Sequence, residues 1–266
     1  MTRILVTGVR GKTGMPLARL LVARGATVLG GSSDPTTIDL DGVRPTAFSW
    51  DEPTEWAAAS AGIEAVYVVR PDRPDAPGLV GALVERTPPT ARVVLLSGQD
   101  AVDSGPDGWS TRVEDAVRRG GRAWTVLRPS WFMQVFTDPR FYRDELAGGT
   151  LTFPGAGAAL AWIDARDIAA VAERALVEEG HEGRTYELTG PEALTLPETA
   201  VALGVTYREI DIEDAVAGTE GFERELSTRT FEQVRAGIYA RVTGTVEQVT
   251  GRPARALRTL RAPAAP

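Results

Sequence analysis

The short run Arg3-Ile4-Leu5-Val6-Thr7 ends in Gly8 and opens the motif Gly8-Val9-Arg10-Gly11-Lys12-Thr13-Gly14, after which apolar residues recur at helical spacing (Leu17, Leu20, Leu21). Strand, glycine turn and helix in immediate succession is a narrow specification. Glycines let the backbone turn tightly and let a pyrophosphate approach, while the N–H groups and positive dipole end of the helix stabilise its charge. The motif therefore points to dinucleotide binding through Gly8, Val9, Arg10, Gly11, Lys12, Thr13 and Gly14, with a non-binding relic of the same turn as the alternative.

The rhythm set by that opening continues. Further strands are expected at residues 26–29, 45–50, 65–69, 92–97 and 124–127, and helices at 53–61, 77–86 and 110–119. Strands separated by helices of this length predict βαβ units, hence a doubly wound, mostly parallel α/β sheet of the NAD(P)-binding Rossmann class over residues 1–129. After Pro129 the pattern changes to aromatic clusters, a glycine-rich stretch over 148–157, a helix at 165–178 and one more strand at 185–188. Residues 130–266 are thus expected to form a smaller substrate lobe interleaved with the last sheet elements, with a Pro/Ala/Arg-rich tail after Gly251 that is open to being either mobile or packed.

Composition removes several alternatives. With 43% hydrophobic residues in 266 the chain can bury a core, and no apolar run is long enough to span a bilayer, so a soluble, cytoplasmic protein is expected. There is no Cys and one His, His181, which excludes thiolate metal sites, cysteine nucleophiles and a His-rich metal centre. A Ser-His-Asp hydrolase would need His181, which lies in a loop-like segment. A net charge of -7 without a concentrated basic face disfavours nucleic acid. The expected partner is a hydrophobic small molecule, bound by a monomer or homodimer.

Charge also bears on which dinucleotide binds. NAD selectivity usually rests on an acid at the end of the second strand, which bonds the ribose 2′-hydroxyl. Here that place reads Gly30-Gly31-Ser32-Ser33, with no acid before Asp34. Ser32, Ser33, Arg10 and Lys12 can instead meet a 2′-phosphate, which favours NADP(H) over NAD(H), although Lys12 can also be read as an exposed loop charge.

Lys12 is the only lysine in the chain. Many reductases of this fold use a Tyr and a Lys four residues apart on a helix, where the Lys lowers the phenol's pKa and the Tyr protonates a carbonyl oxygen. That pair cannot exist here, so the catalytic residue is unknown. An acceptor needing no such acid would suit the chain: an iminium ion, a quinone or an activated enone.

The motifs collected so far resemble the NmrA-like branch of the atypical short-chain dehydrogenases/reductases. The matching pieces are residues 4–8 with Gly11-Lys12-Thr13-Gly14, Ala65-Val66-Tyr67-Val68-Val69, Val94-Leu95-Leu96-Ser97, Thr125-Val126-Leu127-Arg128-Pro129-Ser130-Trp131-Phe132-Met133, Ile163-Asp164-Ala165-Arg166-Asp167-Ile168-Ala169 and Leu188-Thr189-Gly190-Pro191-Glu192. Phe48-Ser49-Trp50 with Trp56, and Trp131-Phe132-Met133-Gln134, are most similar to the ergot-alkaloid-type reductases, festuclavine synthase and agroclavine dehydrogenase. The resemblance implies an NADPH-dependent reductase of a secondary metabolite, acting on an iminium carbon in that subgroup. The wider branch also implies a non-catalytic NADP(H)-sensing regulator, and a non-redox cyclase or isomerase that has kept the fold and repurposed the pocket is a further alternative. The family commonly has Asp where Ser49 stands near the adenine, with Asp51 a substitute, and a small residue where Arg70 stands.

Ligands in such sheets bind outside the carboxyl ends of the strands. Besides the glycine loop, the cofactor candidates are Ser32, Ser33, Ser49, Asp51, Val69, Arg70 and Ser97. Arg70 is suited to cofactor phosphates or an acidic substrate group, or is a plain surface residue. Gln99, with Ser97, is placed to orient nicotinamide or substrate. The substrate candidates are Gln99, Trp109, Trp131, Phe132, Met133, Gln134 and Asp164. Trp131, Phe132 and Met133 offer an aromatic and apolar wall, whereas Phe136 reads as core. Asp164 reads first as a helix cap and second as a substrate-facing carboxylate. Glu114, on the helix that carries catalytic residues in related reductases, reads as a salt-bridged or solvated residue rather than an acid.

Overall fold

The computed structural model describes residues 2–260, and the chain divides into two compact units, residues 1–128 with 168–186 and residues 129–167 with 187–266. In the first unit, strands β1 (Arg3–Thr7), β2 (Thr27–Ser32), β3 (Val43–Ala47), β4 (Ala65–Val69), β5 (Arg92–Leu96) and β6 (Ala123–Pro129) alternate with helices α1 (Gly14–Ala23), α2 (Pro53–Ala59), α3 (Ala76–Arg86) and α4 (Trp109–Arg119). The sheet order is β3-β2-β1-β4-β5-β6, parallel throughout, closed at its far edge by a seventh strand at Arg184–Leu188. The order reverses at β1, which places the carboxyl end of that strand at the topological switch point.

The inner strands need no polar face because helices cover both sides. Ile4, Leu5, Val6, Val66, Tyr67, Val68, Val93, Val94 and Leu95 are all fully buried, which is why these segments are continuous apolar runs rather than alternating ones. Leu17 and Leu21 of α1, four residues apart on one helix face, are buried too.

Two boundaries differ from the sequence expectation for a visible reason. The second strand runs on through Gly30-Gly31 to Ser32, although glycine is ordinarily a strand breaker. Here its missing side chain is used: a Cβ on Gly30 would stand 2.7 Å from Val43 Cγ1, and one on Gly31 would stand 3.1 Å from Phe48 Cβ. The third strand ends at Ala47, and Phe48-Ser49-Trp50 leaves it to pack with Trp56, the rings lying 5.2 to 6.1 Å apart.

The second unit contains α5 (Arg143–Ala147), β7 (Thr150–Phe153), β8 (Ala159–Leu160) and the start of α6 (Ala165–Val177), whose body runs into the first unit and is followed there by β9 (Arg184–Leu188). Then come β10 (Leu194–Thr195), α7 (Leu196–Leu203), β11 (Thr206–Glu209), α8 (Ile212–Ala215), α9 (Gly221–Arg235) and α10 (Thr245–Thr250). β7 pairs in parallel with β11, and β8 pairs antiparallel with β10. Helix α7 starts on a reciprocal cap, with Thr195 Oγ1 accepting from the Glu198 amide while the Glu198 carboxylate accepts from the Thr195 amide. The core of this unit is built on Phe136, Phe153, Trp162 and Tyr239, with the half-buried Trp131 packed against it.

The segment after Gly251 packs rather than moving freely. The Arg255 amide donates to Asp167 Oδ2 at 2.7 Å, the Arg255 guanidinium pairs with the same carboxylate, and Leu257 is buried in the aromatic core. Residues 261–266 of the tail lie outside the described residues. Among the described residues no helix is long and apolar enough to cross a membrane.

Candidate functional site

The glycine loop is built by close approach. Gly8 has φ +65°, a region that glycine enters without the steric cost other residues meet. The Gly11 amide donates to the Gly8 carbonyl at 2.8 Å, which curls the chain back on itself. A Cβ on Gly14 would stand 2.3 Å from the Gly8 carbonyl oxygen and 2.9 Å from Val9 Cα, so α1 can begin where it does only because Gly14 has no side chain. No acidic residue occupies the first turn of α1 and no side chain caps it. The amides of Thr13 and Gly14 have no backbone acceptor among the described residues. A positive helix end with uncommitted donors and no competing carboxylate is what a pyrophosphate requires.

Behind the loop, the Thr7 hydroxyl donates to the Tyr67 carbonyl at 3.1 Å and accepts from the Val69 amide at 2.8 Å, fixing the ends of β1 and β4 together. The Tyr67 hydroxyl donates to Thr13 Oγ1 at 3.1 Å. Burial pushes the Tyr67 phenol well above its ordinary range, so it stays neutral and braces the loop. Val9 is fully buried, which leaves its backbone as the part able to face a ligand, whereas Arg10 and Gly11 are exposed.

At the end of β2, Ser32 Oγ donates to the Asp34 carbonyl at 3.0 Å, and Ser33 is exposed. Asp34 is the acid nearest the position that reads the ribose 2′-hydroxyl. Its carboxylate instead accepts from the Thr36 amide at 3.1 Å and the Thr36 hydroxyl at 2.5 Å, capping a 3-10 turn. Ser49 accepts the Asp51 amide at 3.1 Å, and its carbonyl takes the Trp56 indole N–H at 2.7 Å. Asp51 forms an exposed ion pair with Arg73.

Beyond β4 and β5 the structure joins residues from separate elements that no local pattern connects. Arg70 lies with its guanidinium 4.3 Å from the Trp109 ring centroid, donates to Ser110 Oγ at 2.7 Å and faces Asp100 at 3.7 Å, while Ser110 donates to Asp100. Arg70 and Trp109 are therefore engaged with each other. Ser97 donates to Glu114 Oε1 at 2.8 Å. Glu114 is fully buried and receives Arg128 through two bonds, Nε to Oε1 at 2.8 Å and Nη2 to Oε2 at 2.6 Å, as well as Arg118 Nη2 at 2.7 Å. This is the salt-bridged alternative for Glu114, with two arginines rather than one. One signal was present in the sequence: Glu114 stands among the buried positions Ser110, Val113 and Val117 of an amphipathic helix, where a carboxylate must find a cation.

In the second unit, Trp131 is half-buried and packs edge-on against Phe153 and Trp162 at 5.2 and 6.0 Å. Met133 and Phe136 are core residues, 0% and 2% exposed, while Phe132 remains half-buried and bridges to Ile163. Gln134 and Asp164 come together at the start of α6: Gln134 Nε2 donates to Asp164 Oδ1 at 3.2 Å, and its Oε1 accepts from the Ala165 amide at 2.8 Å. Asp164 also accepts the Arg166 amide at 2.8 Å, a helix cap, and holds the Arg166 guanidinium.

Burial by itself would raise the Asp164 pKa, but the hydrogen bonds and charge of Arg166 outweigh it and hold it below the ordinary 3.8. A carboxylate with a lowered folded-state pKa contributes stability above its unfolded value and loses it as pH falls through the folded one. The Asp164→Asn variant is accordingly expected to flatten the acid limb of thermal stability below about pH 4. An acid limb identical to that of the unmodified chain, measured by melting from pH 2 to 6, would assign that loss to other carboxylates.

His181 shares a hydrogen bond with the Tyr186 hydroxyl at 2.9 Å, which gives the lone histidine a partner other than a nucleophile. Helix α4 reads Trp-Ser-Thr-Arg-Val-Glu-Asp-Ala-Val-Arg-Arg and carries neither Tyr nor Lys.

The chain has clear relatives among known proteins. No family model matches it. It is 32% identical to an NAD(P)H azoreductase of Xenophilus azovorans, over 95% of this chain and 94% of that protein. It is 29% identical to festuclavine synthase I of Penicillium roqueforti over 96% of each. Among solved structures, the NADPH complex of the quinone oxidoreductase QOR2 of Escherichia coli matches 96% of this chain and 97% of its own, with TM-score 0.81 and 20% identity. The negative transcriptional regulator NmrA, solved with NAD, matches 97% and 93%, with TM-score 0.77 and 16% identity. At these identities the two structures establish the shared fold.

Proposed function

The chain belongs to the NmrA-like branch of the atypical short-chain dehydrogenases/reductases, near its ergot-alkaloid-type members, and is an NAD(P)H-dependent oxidoreductase; we propose that it uses NADPH to reduce a hydrophobic small molecule bearing an iminium, quinone or activated enone group. The observation that carries this reading is the cradle at Gly8–Gly14, closed to any Cβ at Gly14 and open at a positive helix end. When bound, the dinucleotide supplies a hydride.

The residues of this chain do the rest. Gly8, Gly11 and Gly14 admit the phosphates, with the Thr13 and Gly14 amides as donors. Arg10 and Lys12 neutralise a 2′-phosphate beside Ser32 and Ser33, and Asp34, committed to its own turn, offers no carboxylate to compete. The absence of Tyr and Lys from α4 supports an acceptor whose reduction needs no positioned phenol, since adding hydride to an iminium carbon neutralises a cation. In this reading the protein orients its reactants and keeps water out, and works in cytoplasmic secondary metabolism. The azoreductase relative is consistent with an electron-poor conjugated acceptor.

The test is to titrate purified protein with NADPH and NADH, then mix the NADPH complex with iminium, quinone and enone compounds while following the reduced-nicotinamide band. Loss of that band with one acceptor class supports the proposal and ranks the class. Tight binding without turnover favours a cofactor sensor, and turnover of a substrate without oxidation of NADPH favours a cyclase or isomerase. Selectivity has its own expected result. Charge-assisted hydrogen bonds contribute about 1.5–3 kcal/mol each, so the double variant Arg10→Ala/Lys12→Ala should weaken NADPH at least about tenfold and leave NADH within about threefold. Equal weakening of both cofactors would remove these residues from 2′-phosphate recognition.

A further inference from the structure

Gln99 opens the 3-10 turn that follows β5 and is 1% exposed, yet its Oε1 is buried without a hydrogen-bond partner. Its neighbours are not in that condition. The Ser97 hydroxyl is given to Glu114, and Asp100 is held by Arg70 and Ser110. A buried amide oxygen with no donor bears the full cost of leaving water, and a group kept in that state calls for an explanation such as a partner that arrives with a ligand.

The sheet order says which ligand group lies on its side of the loop. β1 carries the glycine loop. On one side lie β2 and β3, whose ends hold Ser32, Ser33, Ser49 and Asp51, the candidates for the adenosine half. On the other side lie β4 and then β5, which ends just before Ser97 and Gln99. With strands about 4.8 Å apart, Gln99 follows a strand roughly 10 Å from β1 along the same carboxyl edge. A dinucleotide whose phosphates rest on the loop and whose adenosine turns toward β2 extends its nicotinamide riboside half in this direction.

The chemistry is matched. A glutamine amide presents one acceptor oxygen and an NH2 donor, and the nicotinamide carboxamide presents the same pair, so the two are self-complementary. We propose that Gln99 receives the nicotinamide carboxamide, its Oε1 accepting a carboxamide N–H and so fixing the rotation of the ring. This rests on the NADP(H) reading above and adds a residue that sets the orientation of the reactive half.

The test uses three ligands: NADPH, its 3-acetylpyridine analogue, in which a methyl group replaces the carboxamide NH2, and 2′,5′-ADP, which has no nicotinamide. The unmodified protein should bind NADPH about tenfold more tightly than the acetylpyridine analogue. In Gln99→Leu that preference should fall to within about twofold, 2′,5′-ADP should bind as before, and the ligand-free protein should melt at the same or a higher temperature because an unpaired acceptor is gone. A preference retained in Gln99→Leu overturns the assignment, as does weakening of 2′,5′-ADP to the same degree. Should Gln99→Leu fail to fold, the unmodified protein still decides, since equal affinity for NADPH and the acetylpyridine analogue overturns it too. Failure of unmodified protein to bind either NADPH or 2′,5′-ADP would instead bring down the cofactor reading itself.

Discussion

The Gly14→Ala variant is expected to lose NADPH binding by at least about a hundredfold. The added methyl would lie 2.3 Å from the Gly8 carbonyl oxygen and 2.9 Å from Val9 Cα, both backbone atoms that cannot rotate away. Relief requires α1 to move off β1 or the loop to open, and either displaces the amides proposed to meet the phosphates. Overpacking of this kind costs about 1–3 kcal/mol in stability, and the loss of aligned donors adds to it in binding. Gly78→Ala is the matching control: it lies in α3, where a Cβ meets nothing within 4 Å, and should stabilise the protein by roughly 0.5–1 kcal/mol. Isothermal titration and melting curves on the two variants read both effects. Normal NADPH affinity in Gly14→Ala would show that the phosphates are held somewhere else.

The second large effect is on stability. Glu114→Ala should lower unfolding free energy by about 3–5 kcal/mol, since it removes the fully buried carboxylate shared by Arg118 and the mostly buried Arg128. For a protein of this size that corresponds to a fall in melting temperature of roughly 10 °C. The Arg128→Met/Glu114→Leu double variant, which removes both charges of the tightest pair, should recover part of the loss because no isolated buried charge remains. A Glu114→Ala protein that melts within about 2 °C of the original would mean that water replaces the carboxylate without cost.

What could be read from the sequence follows from what each element depends on. β1, the glycine loop and α1 depend on neighbours in the chain, so an apolar run, three glycines and a return to helical spacing were enough. β4 and β5 were legible as buried apolar runs. The end of β2 was not, because Gly30 and Gly31 belong to a strand through pairing with Val6-Thr7 on one side and Pro45-Thr46 on the other, and Val43 and Phe48 leave no room there for a side chain. The second unit was least legible: β8 and β10 are two residues each, and α9, with Phe222, Leu226, Phe231 and Val234 scattered among charges, has a weak apolar stripe. The site divides in the same way. The glycine loop is local and legible, whereas the Ser97–Glu114–Arg128 and Arg70–Trp109–Asp100 groups join residues from separate elements. Gln134 and Asp164 were named as substrate residues, and the structure shows them joined in capping α6.

The return of the chain to the first unit has a consequence for its synthesis. β6 is complete at Pro129, but the strand that covers its outer edge, β9, begins only at Arg184. At roughly 5–20 residues per second, the nascent chain spends on the order of several seconds with Trp124, Val126 and Leu127 on an open strand at the ribosome. An open edge of this composition pairs readily with other chains. The interval between residues 129 and 184 is therefore when a holdase has most to protect, and a fragment ending at the first change of rhythm would carry that exposed edge permanently.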